Sequence, residues 1–536
     1  MLMLNGPAVA ADPAWNWSGF YFGAHAGGFT GTTTLSNPLG SSIFGDDITT
    51  PGFLAGLQLG YNQQLAPQWL VGAELNGSVL SSQGQNSCLQ SSITLVGANC
   101  RSMPREIASL TGRLGYLTEP NGRTMIFGKA GVAWMRTQID VNPNNTSSRG
   151  FTLTGDPNET GDPLTQSLGV WGCTVGAGVE YAIAPKWSLS LGYDYLRFSG
   201  FSVGTPQTVE IASSGNVTTV PGGALSNGTQ SLHIARVGLN YHWGGLAKTS
   251  ESADAPQAAW VPGWDFEGGA RYWYSWGNFQ SSNGGPNALV SRLPYNNVEG
   301  HSGELFARLD SPFGFFVKAL AGGGGISHGT MYDEDWGLGT DLANEPTGYE
   351  ITVSGINGSF NYFTADVGYN VLRGPDHKVG LFVGYNRYQT VMNTQGCAQM
   401  VAPDSGVCFP NIPSYVNGIS EIDTWHSLRV GASAELQLTD RLKVSADIAY
   451  LPYVRVDGLD IHRLRNLYFP ATGTGNGVQG EIMLSYRVFD AVSLGIGGRY
   501  WSMWTTNAYQ TDQPSNVMNL STDRYGVIVQ ASYKFN

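Results

Sequence analysis

The sequence predicts an all-β fold made of two tandem transmembrane antiparallel β-barrels, the first with 8 strands and the second with 10. Three features of the composition favour this class. Only 13% of residues are charged, against about 25% in typical soluble proteins, while 73 of 536 residues are glycine and 12% are aromatic. No run of about 18 apolar residues indicates a membrane-spanning helix, which leaves amphipathic strands as the membrane fold. The acidic balance, 28 basic against 40 acidic residues, argues against a nucleic-acid partner.

The chain begins with residues 1–14, which we interpret as the remainder of a signal peptide or as a flexible N-terminus. The small residues Ala8-Val9-Ala10 have the A-x-A pattern of a cleavage site, and the apolar stretch before them is short. We therefore expect an exported protein.

The cysteines agree with export. Cys88 and Cys100 lie in one polar segment, and Cys397 and Cys408 lie in another, so each pair is a candidate disulfide of an oxidising compartment. Cys173 lies within a strand-like run, where a small buried or lipid-facing thiol is expected. Neither pair has C-x-x-C spacing or a nearby histidine, so we expect no metal site.

Strict alternation of apolar and polar residues predicts the strands. In Trp187-Ser-Leu189-Ser-Leu191-Gly-Tyr193-Asp-Tyr195, one face is apolar and the other is small or polar, as a strand between lipid and lumen requires. Eight such strands are expected near residues 18–30, 52–65, 68–80, 107–118, 123–140, 167–184, 187–200 and 230–243. Ten more are expected near 264–279, 302–310, 314–326, 357–372, 377–392, 425–438, 442–456, 476–489, 492–506 and 522–535.

The connections between these strands alternate between short and long. Outer-membrane barrels have short periplasmic turns and long extracellular loops, so the orientation follows from the lengths. Because both strand counts are even, both termini and the linker are expected in the periplasm. The long, extracellular segments include 81–106, 141–166, 201–229, 327–356, 393–424 and 457–475.

Residues 244–263 are rich in Ala, Ser and Pro, show no alternation, and are predicted to be a periplasmic linker. The segment Arg236–Trp243 before it has the alternating aromatics of a closing barrel strand. The predicted domains are therefore a first barrel over 15–243 and a second over 264–536. The alternative is one 18-stranded barrel, as in porins.

The first barrel opens with Trp17-Ser-Gly19-Phe-Tyr21-Phe-Gly23-Ala-His-Ala-Gly27. This pattern resembles the eight-stranded opacity-type surface proteins of alphaproteobacterial outer membranes. The resemblance covers about residues 15–243 and implies surface exposure rather than chemistry. The interior of so small a barrel is filled by side chains, so free diffusion through it is not expected.

The second barrel carries two acidic motifs in its long loops, Tyr332-Asp333-Glu334-Asp335-Trp336 and Val456-Asp457-Gly458-Leu459-Asp460-Ile461-His462. Their D-x-D and D-x-H patterns resemble those of the omptin family of outer-membrane proteases. The resemblance implies a ten-stranded barrel with an extracellular active site. Asp333 and Asp335 would form its aspartate couple, and Asp460 and His462 its aspartate–histidine dyad.

The residues themselves support this chemistry. Residues two apart on an extended strand point to the same face, so each motif presents a pair of side chains. A histidine oriented by a carboxylate can take a proton from water, and two close carboxyls can share one proton. Water held between the pairs could attack a peptide carbonyl without a metal.

The chain departs from the omptin pattern in its specificity pocket. The acidic position two residues before the dyad aspartate is Gly458, with Asp457 beside it, and no acidic residue matches around Ser291-Arg292-Leu293. The resemblance also implies a requirement for lipopolysaccharide, for which Tyr385 and Arg387, beside Tyr388, are the candidate residues.

Three functions follow from these observations. The first is an omptin-like endopeptidase of the bacterial outer membrane, acting on an extracellular peptide or protein, with lipid and lipopolysaccharide as partners and no other cofactor. The second is a non-catalytic surface barrel, an adhesin or envelope-structural protein. The third is a channel formed by a single larger barrel. The sequence leaves the natural substrate and the oligomeric state open.

Overall fold

The structure, a computed structural model, describes residues 15–38, 40–42, 45–89, 98–118, 122–142, 164–211, 217–220, 222–246, 263–285, 288–340, 346–400 and 407–535. The predicted N-terminal segment 1–14 and most of the linker, residues 247–262, lie outside the described residues. Within the described ranges, no helix is long and apolar enough to cross a membrane.

The first barrel is a closed ring of eight antiparallel strands. Its order is β3-β2-β1-β11-β8-β7-β6-β5, and the pairing of β3 with β5 closes the ring. The short strand β4 pairs with β5 beyond the ring, and β9 and β10 form a separate pair. The strands are β1 Gly19–Leu35, β2 Asp47–Gln64, β3 Trp69–Ser82, β4 Gly84–Cys88, β5 Ala98–Leu117, β6 Thr124–Asn142, β7 Leu164–Ala184, β8 Trp187–Gly204, β9 Thr208–Ile211, β10 Val217–Val220 and β11 Leu225–His242.

The second barrel is a closed ring of ten strands in chain order. Because β12 pairs with β21, and β1 pairs with β11, each ring closes on itself. The prediction of eight plus ten strands is confirmed, and the single 18-stranded alternative is wrong. The strands are β12 Asp265–Gly285, β13 Ala288–Asp310, β14 Phe315–Thr340, β15 Pro346–Arg373, β16 His377–Gln399, β17 Ile412–Gln437, β18 Leu442–His462, β19 Leu467–Arg487, β20 Val492–Gln510 and β21 Gln513–Phe535.

An apolar belt covers the outside of both rings. Large side chains at alternate positions, such as Leu57 and Leu59 on β2 or Leu381 and Val383 on β16, are exposed. Cys173 is also exposed and points outward from β7. Such a belt is stable only against lipid, which explains the alternation in the sequence.

Ion pairs fill the interiors. In the first barrel, Arg113 pairs with Glu180, and Lys129 lies 3.2 Å from Glu74. In the second, Arg499 lies 2.6 Å from both Glu304 and Glu481. A second group there joins Arg429 to Asp366, Lys318 to Asp447 and Arg308 to Glu435. Paired charges satisfy one another inside the barrel and obstruct the lumen.

The strands extend further than the sequence predicts, always at the extracellular end. Strand β13 begins at Ala288 rather than near 302, and β14 continues to Thr340 rather than ending near 326. Much of what was expected to be loop is therefore paired strand. Above the membrane no face meets lipid, so the alternation disappears although the backbone ladder continues.

The two barrels lie side by side in the same orientation and touch at three heights. At the periplasmic end, the Tyr181 hydroxyl donates to Asp376 at 2.6 Å. Midway, the rings of Phe53 and Tyr450 lie 5.4 Å apart. At the extracellular end, Ser87 of β4 hydrogen-bonds Glu334 of β14. Because barrel strands are tilted, a vertical line of contact crosses different strands at each height.

Candidate active site

Strand β14 carries the aspartate couple on its inner face. Asp333 is the ladder partner of Thr352, and Asp335 is flanked by Ser291 on β13 and Glu350 on β15. The register is regular from Met331 to Asp335, so both aspartates share the inward side of the buried Met331. They were expected in a loop, and the structure places them within a strand, which fixes their direction.

Strand β18 carries the dyad. His462 Nε2 lies 3.1 Å from Asp460 Oδ2, so this nitrogen holds a proton that it donates to the carboxylate. The other ring nitrogen, Nδ1, accepts a hydrogen bond from Arg465. The Phe469 ring meets the imidazole edge to face with centroids 5.2 Å apart. The ring is thus fixed in orientation and tautomer, as a general base requires.

The two pairs act on each other electrostatically. Burial, with the charges of Asp335 and Asp460, raises the pKa of Asp333 well above its usual range. Burial also raises the pKa of Asp335 to about 6; the charge of Glu350 adds to this effect, whereas Ser291, His462 and Arg465 oppose it. Because two neighbouring carboxyls repel each other when both are ionised, the couple favours a state with one shared proton and one negative charge.

The inward-facing space that holds Asp333, Asp335, Asp460 and His462 is called the groove below. Three further residues of this groove were not predicted from the sequence. Glu421 on β17 is the ladder partner of Asp460, and Asp423 is the ladder partner of Gly458. Burial and mutual repulsion raise the pKa of Glu421, and burial raises that of Asp423, both well above the usual range. Tyr295 is fully buried among these acids, and its hydroxyl meets no hydrogen-bond partner within the described residues. The E-x-D spacing of residues 421–423 repeats the D-x-D pattern and was the available sequence clue.

Gly458 leaves room for the carboxyl group of Asp423 on the neighbouring strand. A Cβ at Gly458 would lie 2.9 Å from Asp423 Oδ1, because the Asp423 carboxyl occupies the space in front of it. No donor within the described chain reaches either Asp423 oxygen. Asp457, in contrast, is exposed and lies 2.9 Å from Arg455. The acidic side chain next to Gly458 therefore comes from the neighbouring strand β17.

The predicted lipopolysaccharide-binding residues lie on the outer wall. Tyr385 is exposed, and its hydroxyl lies 2.6 Å from His426 Nδ1. Arg387 Nη1 donates to Asn361 Oδ1 at 2.7 Å. Tyr388 points inward instead, is buried, and accepts a hydrogen bond from Arg524 at 3.0 Å. Alternation places 385 and 387 on the lipid side and 388 in the lumen.

The structure joins both candidate cysteine pairs. Cys88 is bonded to Cys100 at the tip of the β4–β5 hairpin, and Cys397 is bonded to Cys408 between β16 and β17. Within the ranges that the structure describes, no group of three or more His, Cys, Asp or Glu side chains is arranged to hold a metal ion.

Closed antiparallel rings with an apolar outer belt and an ion-paired interior define this chain as a β-barrel protein of the bacterial outer membrane. The family described as "Outer membrane protein beta-barrel domain" matches residues 1–214. Two curated relatives are the 31 kDa outer-membrane immunogenic proteins of Brucella melitensis and Brucella suis. Each is 28% identical over 243 residues, which cover 44% of this chain and 87% of the relative.

Two solved structures are similar in fold. Outer membrane protease OmpT from Escherichia coli matches with a TM-score of 0.42 and 14% identity, over 54% of this chain and 100% of that one. The attachment invasion locus protein Ail of Yersinia pestis matches with a TM-score of 0.19 and 12% identity, over 42% and 99% of the two chains. At these values, the similarity says nothing about activity.

Proposed function

We propose that the second barrel is an outer-membrane surface endopeptidase in which Asp333, Asp335, Asp460 and His462 activate water against a peptide bond. One observation carries the proposal. The charge of Asp460 helps to raise the pKa of Asp333, and the charge of His462 opposes the rise in the pKa of Asp335, which supports a close approach of the two pairs. A shared water cluster between a histidine base and a half-protonated couple is a plausible hydrolytic site.

The reaction follows from the protonation states. Water hydrogen-bonded to the Asp335 carboxylate loses its proton to His462 as its oxygen attacks the peptide carbonyl carbon. The Asp333 carboxyl donates a hydrogen bond to the oxygen that becomes negative, and Asp460 stabilises the imidazolium. His462 then protonates the leaving amine, and the carbon–nitrogen bond breaks. One water is consumed, and a carboxylic acid and an amine are formed.

Arg465 must release His462 for this cycle to begin. Its guanidinium occupies Nδ1, the nitrogen that carries no proton, while Asp460 holds the other. Arg465 lies in the exposed turn between β18 and β19. Substrate binding would displace it.

Peptide cleavage tests the proposal. The full chain is placed in lipopolysaccharide-containing micelles and offered a diverse peptide library, beside the Asp335→Asn and His462→Ala variants. Both variants are expected to lose cleavage, whereas Asp457→Asn, on the outer face of β18, keeps it. Cleavage that survives both active-site substitutions would overturn the assignment.

A requirement for lipopolysaccharide belongs to the same proposal. Tyr385 and Arg387 provide an aromatic and a cationic group on the outer wall, where a phosphorylated lipid headgroup would lie. Activity in plain detergent is expected to be low and to return when lipopolysaccharide is added. The Arg387→Gln variant should need a higher lipopolysaccharide concentration for the same activity.

A second candidate is a non-catalytic surface protein, such as an adhesin or envelope-structural barrel. It is favoured by the 28% identity, over 44% of this chain, to proteins named as outer-membrane immunogens. This candidate predicts that the wild type cleaves no peptide even with lipopolysaccharide present, and that intact cells expose the first barrel to antibody.

A further inference from the structure

A buried polar contact joins the barrels on the outer side of the wall that carries the aspartate couple. Arg292 on β13 and Glu334 on β14 are ladder partners. Their inner-face neighbours point into the groove, so these two side chains point outward. Both are fully buried, and Arg292 Nη1 lies 4.0 Å from Glu334 Oε2. The surface that buries them belongs to the first barrel.

The β4–β5 hairpin of the first barrel supplies this cover. Arg292 Nη1 donates to Ser87 Oγ at 2.8 Å, and Arg292 Nη2 donates to Asn99 Oδ1. The Ser87 hydroxyl donates to Glu334. With its amide oriented to suit these neighbours, Gln280 accepts from Arg292 Nε at 3.1 Å and donates to the carbonyl of Gln85 at 3.2 Å.

The hairpin is itself braced. Ser87 and Asn99 are ladder partners, and each adjoins one half of the Cys88–Cys100 disulfide. Ser87 and Asn99, which accept hydrogen bonds from Arg292, therefore lie on two strands that a disulfide joins. Cross-linked strands can hold the Arg292 side chain at a fixed position, whereas a loose loop could not.

The contact between the barrels affects the groove because successive residues of β13 and β14 lie on opposite faces of the wall. Glu334 lies between Asp333 and Asp335, and Arg292 follows Ser291, whose hydroxyl hydrogen-bonds Asp335. When outer-face residues are held, the backbone between them is held, and the inner-face side chains keep their direction.

We propose that the β4–β5 hairpin is a positioning element for the groove, and that Arg292 is the positioning residue through which it acts. The inference rests on the proposed function and adds a role for the first barrel in it. The aspartate couple is correctly placed only while the two barrels are docked at this point.

The test removes the hydrogen bonds from Arg292 to the hairpin and leaves the residues of the groove unchanged. In the full chain in lipopolysaccharide micelles, the Ser87→Ala/Asn99→Ala double variant is expected to lose roughly ten- to a hundredfold in kcat, because the couple is misplaced. KM should change little, and the acid limb of the pH profile should move. The Ser87→Thr variant keeps the hydroxyl and should keep the activity.

A second readout does not depend on catalysis. Hydrogen exchange is followed in peptides covering residues 288–296 and 328–336. Exchange is expected to quicken there in the double variant. The matched control is Tyr181→Phe, which removes an inter-barrel hydrogen bond at the periplasmic end. It should alter neither kcat nor exchange in residues 288–296 and 328–336, which are called the rim.

The outcomes separate the two ideas. Faster rim exchange with lower kcat supports the inference. Unchanged rim exchange and unchanged kcat in the double variant overturn it, as does an equal loss of kcat in Tyr181→Phe. If the wild type cleaves nothing, the proposed function fails, and rim exchange alone decides whether the hairpin holds the wall.

Discussion

Asp423 on β17 and Gly458 on β18 are ladder partners, and the Asp423 carboxyl occupies the space beside Gly458 on one wall of the groove. Glu421 lies two residues before Asp423 on the same strand; burial raises the pKa of both carboxyls, and the charge of Asp460 adds to the effect. A cationic side chain entering the groove would compensate this buried acidity.

We predict that Asp423→Asn reduces cleavage beside Lys and Arg relative to cleavage beside neutral residues, because the variant keeps the shape and can no longer ionise to pair with a cationic side chain. The measurement is kcat/KM for matched peptides that differ only in the residue next to the cut. Asp457→Asn is the control, since Asp457 points outward. An unchanged preference in Asp423→Asn would place the specificity elsewhere.

The pH profile should report the aspartate couple. Burial raises the pKa of Asp335 to about 6, and Glu350 contributes by repulsion. Because the ionised form acts on water, kcat/KM is expected to rise with pH through about 6. Glu350→Gln removes a negative neighbour, so it should move this limb to lower pH. A limb that moves to higher pH would contradict the assignment.

The same pKa has a consequence for stability. The folded state holds the Asp335 proton more tightly than the unfolded chain, whose aspartates titrate near about 3.9. This stabilising effect is complete below that value and is lost as pH rises through about 6. Asp335→Asn should therefore flatten the pH dependence of unfolding in this window.

At the scale of the element, apolar alternation predicts a strand only where one face meets lipid. The membrane-spanning parts of β8 and β16 were predictable for this reason. The upper parts of β13 and β14 were not, because neither face meets lipid: buried apolar side chains such as Leu293 and Met331 lie inward, and the buried ion pair of Arg292 and Glu334 lies outward. The four proposed catalytic residues were recognisable because each motif is local in sequence.

Ion pairs link inward-facing side chains of different strands in the second barrel. Arg499 on β20 is fully buried, lies 2.6 Å from Glu304 on β13 and from Glu481 on β19, and packs 4.8 Å from the Trp273 ring. Its removal leaves buried carboxylates with fewer partners. Pairings between distant strands such as these could not be read from the sequence.

We predict that Arg499→Ala lowers the free energy of unfolding by about 3 kcal/mol, the usual cost of breaking a buried ion pair. Urea titration in micelles, followed by the loss of heat-modifiable migration, measures it. Arg455→Ala is the control, because its pair with Asp457 is exposed on both sides and should contribute nothing measurable. Equal stability of the two variants would show that the luminal network is dispensable.

At the scale of the whole molecule, two separate rings replace one large pore. Their lumens hold ion pairs from wall to wall, including Lys129 with Asp194 in the first and Arg308 with Glu435 in the second. The eight-plus-ten division was predictable from the closing-strand pattern before the linker. The docking of the rings was not, because it depends on side chains far apart in the chain.

We predict that the purified protein produces no steady ohmic conductance in planar lipid bilayers, since buried ion pairs occupy both lumens. A general porin in the same bilayers is the positive control. Stable, voltage-independent current from the wild type would mean that the luminal ion pairs open, and would favour the channel hypothesis.

The three heights of contact between the barrels have one more consequence. A single barrel in a bilayer can rotate about the membrane normal, and a groove at its extracellular end then faces every direction in the membrane plane in turn. Two cylinders fixed together cannot spin independently. The groove therefore keeps a constant azimuth relative to the first barrel, and anything captured on that barrel's surface meets the groove from the same side every time.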